Sequence, residues 1–267
     1  MRGAATSLFT LRGPFPRSFA LALPFVLPLA LLLLWQLAVV RNWVSPLILP
    51  PPLRIWQTFV ELWQNGQIAE AFMISLFRIA VGFAAGAAGG LIVGMAMGLS
   101  DTFDRIFGPT LRTLAQVPTI GWMPILILVL GLSEAVKYII IAKASFLLVL
   151  IATADAIRNV PRDQVDAMRV LRLRPMTQLT KFWIPAVLPS IVTGFRLALG
   201  AAWIALVIVE MLASTAGIGY LMVWGRTVFQ LDVVVVGMII IGLAGLSLDR
   251  VMALLERRVS HGVHGHG

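Results

Sequence analysis

The chain has 267 residues, of which 59% are hydrophobic and only 12% charged, and its mean hydropathy is +0.93. Soluble domains carry roughly twice that charge, so this composition describes an all-α polytopic membrane protein with little room for a soluble domain. The net charge of +9 punctuates apolar runs instead of forming one patch, which sets nucleic-acid binding aside in favour of positive-inside topology, and the lack of cysteine excludes disulfides, thiolate metal sites and cysteine nucleophiles.

Residues 1–18 are basic (Arg2, Arg12, Arg17) and are expected in the cytoplasm. The apolar run from Phe19 to Val40 is long for a signal peptide and lacks a small-residue cleavage pattern, so it is expected to be a retained first span. Trp43 to Pro52, ending in Pro50-Pro51-Pro52, reads as an external loop, because proline lacks an N–H and breaks helix. Leu53 to Trp63 has the pattern of a short interfacial helix, with Trp56 and Trp63 suited to that depth. The second span is expected from Ala71 to Leu99, where Gly82, Gly86, Gly90, Gly94 and Gly98 recur every fourth residue. That spacing makes a stripe on one helix face and lets a neighbouring helix approach closely.

Ser100 to Pro109 reads as a short polar loop. A third apolar region, Leu111 to Leu130, is interrupted by Pro118, Gly121 and Pro124. Broken membrane helices occur where backbone is buried in protein or lines a cavity, which makes Pro118 a candidate pathway residue. Further spans are expected over Ala135–Ile157, Pro185–Leu212 and Val233–Leu254, about six in all. Ser214 to Leu231 reads as a loop with a Gly217-Ile218-Gly219-Tyr220 turn. The end of the chain, 257–267, reads as a disordered cytoplasmic tail; its His261, His264 and His266 make only a weak metal pattern, and no metal site is expected.

Alternating six spans from a cytoplasmic N-terminus puts fourteen basic residues inside and four outside, so both termini are expected in the cytoplasm. Charges within spans are costly and point to function by default. Lys143, Arg196 and Glu210 are candidates for a pathway that passes a small anion, with snorkelling or pairing to a carboxylate the open alternative. For Arg78 that alternative, snorkelling or pairing, is preferred.

The connector from 158 to 185 is the most polar interior stretch, with helical pattern over Gln164–Leu173 and Met176–Trp183. A helical hairpin of that length has no use in anchoring and is shaped either to contact a cytoplasmic partner or to lie at the headgroups. Its run Asp166-Ala167-Met168-Arg169-Val170-Leu171-Arg172, continuing to Ile184-Pro185-Ala186-Val187-Leu188-Pro189, resembles the EAA loop of binding-protein-dependent ABC importer permeases. Asp166 stands where that family has Glu, Met168 replaces its second Ala, and Arg172 stands at its turn glycine. Asp232-Val233-Val234-Val235-Val236, Leu254-Leu255-Glu256-Arg257, Gly217-Ile218-Gly219-Tyr220 and Val117-Pro118 are similar to sulfonate, taurine and nitrate permeases of the group.

The resemblance implies a type I importer permease fold with its core over about 70–256 within a membrane domain of 19–256. It also implies an assembly in the bacterial inner membrane: a second permease copy (a homodimer), an ATP-binding cassette ATPase subunit that holds ATP and Mg, and a periplasmic solute-binding protein. Asp166, Ala167, Met168, Arg169, Leu171, Arg172, Pro185 and Pro189 would form the ATPase-coupling loop. The chain has no Gly-x-x-x-x-Gly-Lys-Ser/Thr, so it is not expected to be an enzyme, and ATP falls to the partner. A stand-alone secondary transporter or channel is the alternative reading; sparse acidic residues within spans and the long hairpin speak against it.

Overall fold

The computed structural model describes residues 17–170 and 174–264. The helices in chain order are α1 (Arg17–Val40), α2 (Pro52–Gln64), α3 (Gln67–Leu99), α4 (Asp101–Gln116), a 3-10 turn at Thr119–Trp122, and α5 (Met123–Leu130). They are followed by α6 (Glu134–Arg158), α7 (Arg162–Val170), α8 (Pro175–Gln178), a π-helical turn at Leu179–Trp183, α9 (Ile184–Ala213), α10 (Ile218–Thr227) and α11 (Leu231–His264). Four of these stretches are long and apolar enough to cross a membrane, and the pair α4 and Thr119–Leu130, bent by 96°, makes up to five. Leu33, Ile92, Leu197 and Leu254 stand exposed on their outer faces, as lipid-facing side chains do.

The core is a layer of α3, α6 and α9, closed on one side by α10 and α11. The glycine stripe decides its tightest contact. Gly82, Gly86, Gly90, Gly94 and Gly98 all lie against α6, opposite Ile141, Ala142, Phe146, Leu150 and Ile157 in turn. A Cβ at Gly90 would stand 2.5 Å from the Phe146 carbonyl oxygen, so only glycine permits this separation.

Four local expectations are corrected. Ser100 to Pro109 is not a loop but the first half of α4: the Ser100 hydroxyl accepts from the Phe103 N–H, and Asp101 and Asp104 occupy the first turn. Ser214 to Leu231 contains the ten-residue α10. The fifth span, expected over Pro185–Leu212, is part of a longer stretch: Met176–Ala213 is one apolar helical run. The π-helical turn sits just before Pro185, and its wider path, with the Ile184 N–H donating to Leu179 O, relieves the proline ring that an α-helix would crowd. Finally, α11 runs on to His264, so most of the tail expected to be disordered is helical.

Candidate functional site

The charged residues of the spans gather into separate clusters. Near the Gly217 end of the bundle, the buried Arg78 donates from Nη1 to Glu210 Oε1 at 2.9 Å and to the Ala216 carbonyl at 2.7 Å. Its Nη2 and Nε donate to the two carboxylate oxygens of Glu134 at 2.6 and 2.8 Å. Lys137 reaches Glu134 Oε1 at 2.7 Å, so two cations meet two carboxylates. Glu210 also accepts from the Ser75 hydroxyl at 2.8 Å and from the Gly219 N–H at 3.0 Å, while Ser75 Oγ accepts from the Ile218 N–H.

This cluster explains the Gly217-Ile218-Gly219 motif. Gly217 has φ +107°, and a Cβ there would collide with the Glu210 carboxylate; a Cβ at Gly219 would stand 2.7 Å from Glu210 Cβ. The turn is therefore a lid of bare backbone over a buried carboxylate, which needs those donors to be tolerated inside the protein. Of the snorkelling or pairing expected for Arg78, the structure has pairing. Glu210 belongs to this brace of α3, α6, α9 and α10 and does not line a cavity with Lys143.

At the opposite end, Arg196 on α9 is half-buried and binds Asp249 at 2.7 and 3.0 Å and Glu256 at 3.1 Å, both on α11. Thr193 also donates to Glu256. Asp249 and Glu256 are seven residues apart, two turns on one face, and that spacing is the signal in the sequence that could have identified them as partners of Arg196. Asp104 likewise holds Arg158 at 2.7 Å and Arg112 at 3.1 Å, tying α4 to the end of α6. Arg54 and Thr58 of α2 meet Asp232 at 3.1 and 2.7 Å.

Lys143 is placed differently. It projects from α6 into a cavity of about 380 Å³ lined by Val117, Pro118, Thr119, Ala201 and Ile204, among others. Its ammonium donates to the Val117 carbonyl at 3.1 Å and stands 5.4 Å from the centre of the Trp122 ring. The break at Pro118 is what frees that carbonyl: the helix stops at Gln116, and the chain turns into the 3-10 segment. The indole N–H of Trp122 is buried and has no acceptor among the described residues. Pro118 and Lys143 are thus brought together, apart from Arg196 and Glu210.

The connector after α6 is a short helix, α7, followed by the α8 stretch. Asp166 and Ala167 are exposed on α7, whereas Met168 is buried and lines a hollow of about 520 Å³ with Leu99, Val165 and Trp183. Met168 therefore seats α7 on the spans. Arg169 lies in α7, but its side chain, with Leu171 and Arg172, is outside the described residues. Pro185 is exposed and Pro189 half-buried, at the start of α9.

Apolar spans, one of them sharply broken, joined by a polar helical connector define a polytopic membrane protein. Residues 86–261 match the family of binding-protein-dependent transport system inner membrane components, and the chain belongs to that family. It is 36% identical to the putative aliphatic sulfonates transport permease protein SsuC of Bacillus subtilis (strain 168), over 88% of this chain and 85% of that protein. It is 35% identical to the protein of the same description from Escherichia coli (strain K12), over 88% and 89% of the two chains. The nitrate import permease protein NrtB of Synechococcus elongatus is 30% identical over 89% of this chain and 90% of its own. In fold, the chain is similar to a chain of the MetNI methionine ABC transporter in an inward-facing conformation, with TM-score 0.64 and 14% identity, covering 73% of this chain and 97% of that one.

Proposed function

We propose that this chain is the membrane-spanning permease subunit of an ATP-driven importer in the bacterial inner membrane, and that its solute is a small oxyanion such as an alkanesulfonate, taurine or nitrate. The observation that carries the reading is the helical connector between α6 and α9 in a chain of this family, which has no ATP site of its own. The names of the relatives, which cover sulfonates, nitrate and bicarbonate, support an oxyanion. In this reading the N-terminal segment and the C-terminal end of α11 are cytoplasmic, α1 and the bent pair complete six spans, and lipid covers the apolar outer faces. Two copies form the pathway. In each, the connector over 158–185 rests on an ATPase subunit that binds ATP and Mg, and a periplasmic binding protein delivers the solute from the other side.

Asp166 and Ala167 supply the exposed face for that docking: a small side chain allows close approach and a charge sets register. Arg169, Leu171 and Arg172 continue the same loop, Met168 holds it to the spans, and Pro185 and Pro189 shape the helix that carries its motion into the membrane. The test is affinity purification of the chain from its native host in mild detergent, with mass spectrometry of what accompanies it. An ATP-binding subunit in equal amount is the expected result. A chain that purifies alone and still catalyses uptake without ATP in proteoliposomes would be a stand-alone secondary transporter and would overturn the proposal.

A further inference from the structure

Lys143 is an exception among the cations of the bundle. Arg78, Lys137 and Arg196 each contact a carboxylate within 3.1 Å. Lys143 has no carboxylate partner among the described residues; one backbone carbonyl and one aromatic face hold it. An ammonium within a span costs several kcal/mol unless neutralised, and here the protein supplies partial charges alone. Lys143 itself lines the adjoining cavity, so its ammonium stands at the edge of that space. The lining of the adjoining cavity is otherwise apolar except for Thr119 and backbone groups. A cation with no carboxylate to meet, lining an apolar space, is what a site for an anion with a small organic group requires.

We propose that Lys143, at the Pro118 break, is an intramembrane subsite for a monovalent oxyanion, a sulfonate or nitrate, with the ammonium as charge partner and the cavity wall receiving any alkyl group. The subsite rests on the oxyanion-importer reading for its biological use, but its binding chemistry can be tested apart from import. Its single mobile charge, held by weak partners, suits a site that must release as well as bind. A bidentate guanidinium such as Arg196, locked by two carboxylates, does not.

Two arms test it on the permease–ATPase complex in nanodiscs. In the first, thermal stability is followed while sodium nitrate or sodium methanesulfonate replaces sodium chloride at constant ionic strength. Wild type and Lys143→Arg should be stabilised saturably by the oxyanions, and Lys143→Met should not. Equal responses of wild type and Lys143→Met, or no response in wild type, would overturn the subsite whether or not import occurs. In the second arm the binding protein is added and ATP-driven uptake of the two oxyanions is measured in proteoliposomes. The chain has no cysteine, so Lys143→Cys places one thiol in it. That thiol can displace bromide from 2-bromoethylamine, forming the S–C bond of a lysine analogue.

Lys143→Cys should lower the maximal uptake rate by about tenfold or more, with stimulated ATPase retained. Aminoethylation should restore uptake, and ethylation with bromoethane should not. Rescue by both reagents would show that bulk, not charge, matters and would overturn the proposal, as would undiminished uptake by Lys143→Cys. Oxyanion binding that depends on Lys143, without uptake of either anion by wild type, would uphold the subsite and refute the importer reading instead.

Discussion

Gly90→Ala tests whether the glycine stripe sets the distance between α3 and α6. The added Cβ would lie 2.5 Å from Phe146 O, 3.0 Å from Val149 Cβ and 3.1 Å from Leu150 N. Carbon–oxygen contacts across helix interfaces settle near 3.3–3.6 Å, so the helices must part by about 1 Å at this point. Two of these atoms are backbone and the third is a Cβ fixed to it, so none can rotate away. Overpacking of this kind costs about 1–3 kcal/mol, and a backbone clash belongs in the upper half of that range. Alanine returns about 1 kcal/mol through its better helix preference, leaving a net loss of about 1–2 kcal/mol. Gly200→Ala is the internal control, because its Cβ would meet nothing within 4 Å and only the helix preference remains. Thermal unfolding in detergent should show Gly90→Ala about 2–8 °C below wild type and Gly200→Ala level with it or above. Equal melting temperatures for the two variants would refute the idea that close approach at the stripe holds the bundle together.

Glu210→Ala strips Arg78, Ser75 and the Gly219 N–H of a shared acceptor and should cost about 3–5 kcal/mol, read as lost folded yield or a lower melting temperature; wild-type stability would show that Glu134 alone suffices for Arg78. A double-mutant cycle of Arg196→Met and Asp249→Asn should show positive coupling in thermal stability with uptake largely retained, and additive effects would show that the α9–α11 tie is not an interaction of consequence. Asp166→Lys should weaken co-purification of the ATPase while leaving membrane insertion unchanged, and full uptake by that variant would remove Asp166 from the docking face.

Much of this architecture is carried by the chain itself. Apolar runs of the required length give the spans, because the bilayer interior accepts little else, and the every-fourth-residue glycines announce a close helix contact. The short helix with its exposed Trp56 and Trp63 and the break at Pro118 follow from the same local rules. Local polarity misled at Ser100–Pro109, where charged residues that read as a loop are the N-cap and first turns of an amphipathic helix. The capping serine followed by two aspartates was the available signal.

What the sequence could not sort was its remaining span charges, since Lys143, Arg196 and Glu210 were equal candidates in one dimension. Whether a charge is structural depends on what lies within about 3 Å of it, and those partners come from distant parts of the chain. Glu210 finds Arg78 across 132 residues, and Arg196 finds Asp249 across 53. Only the packing of α3, α6, α9 and α11 brings those groups together, and only that packing leaves Lys143 facing a cavity with its charge unmatched by a carboxylate among the described residues.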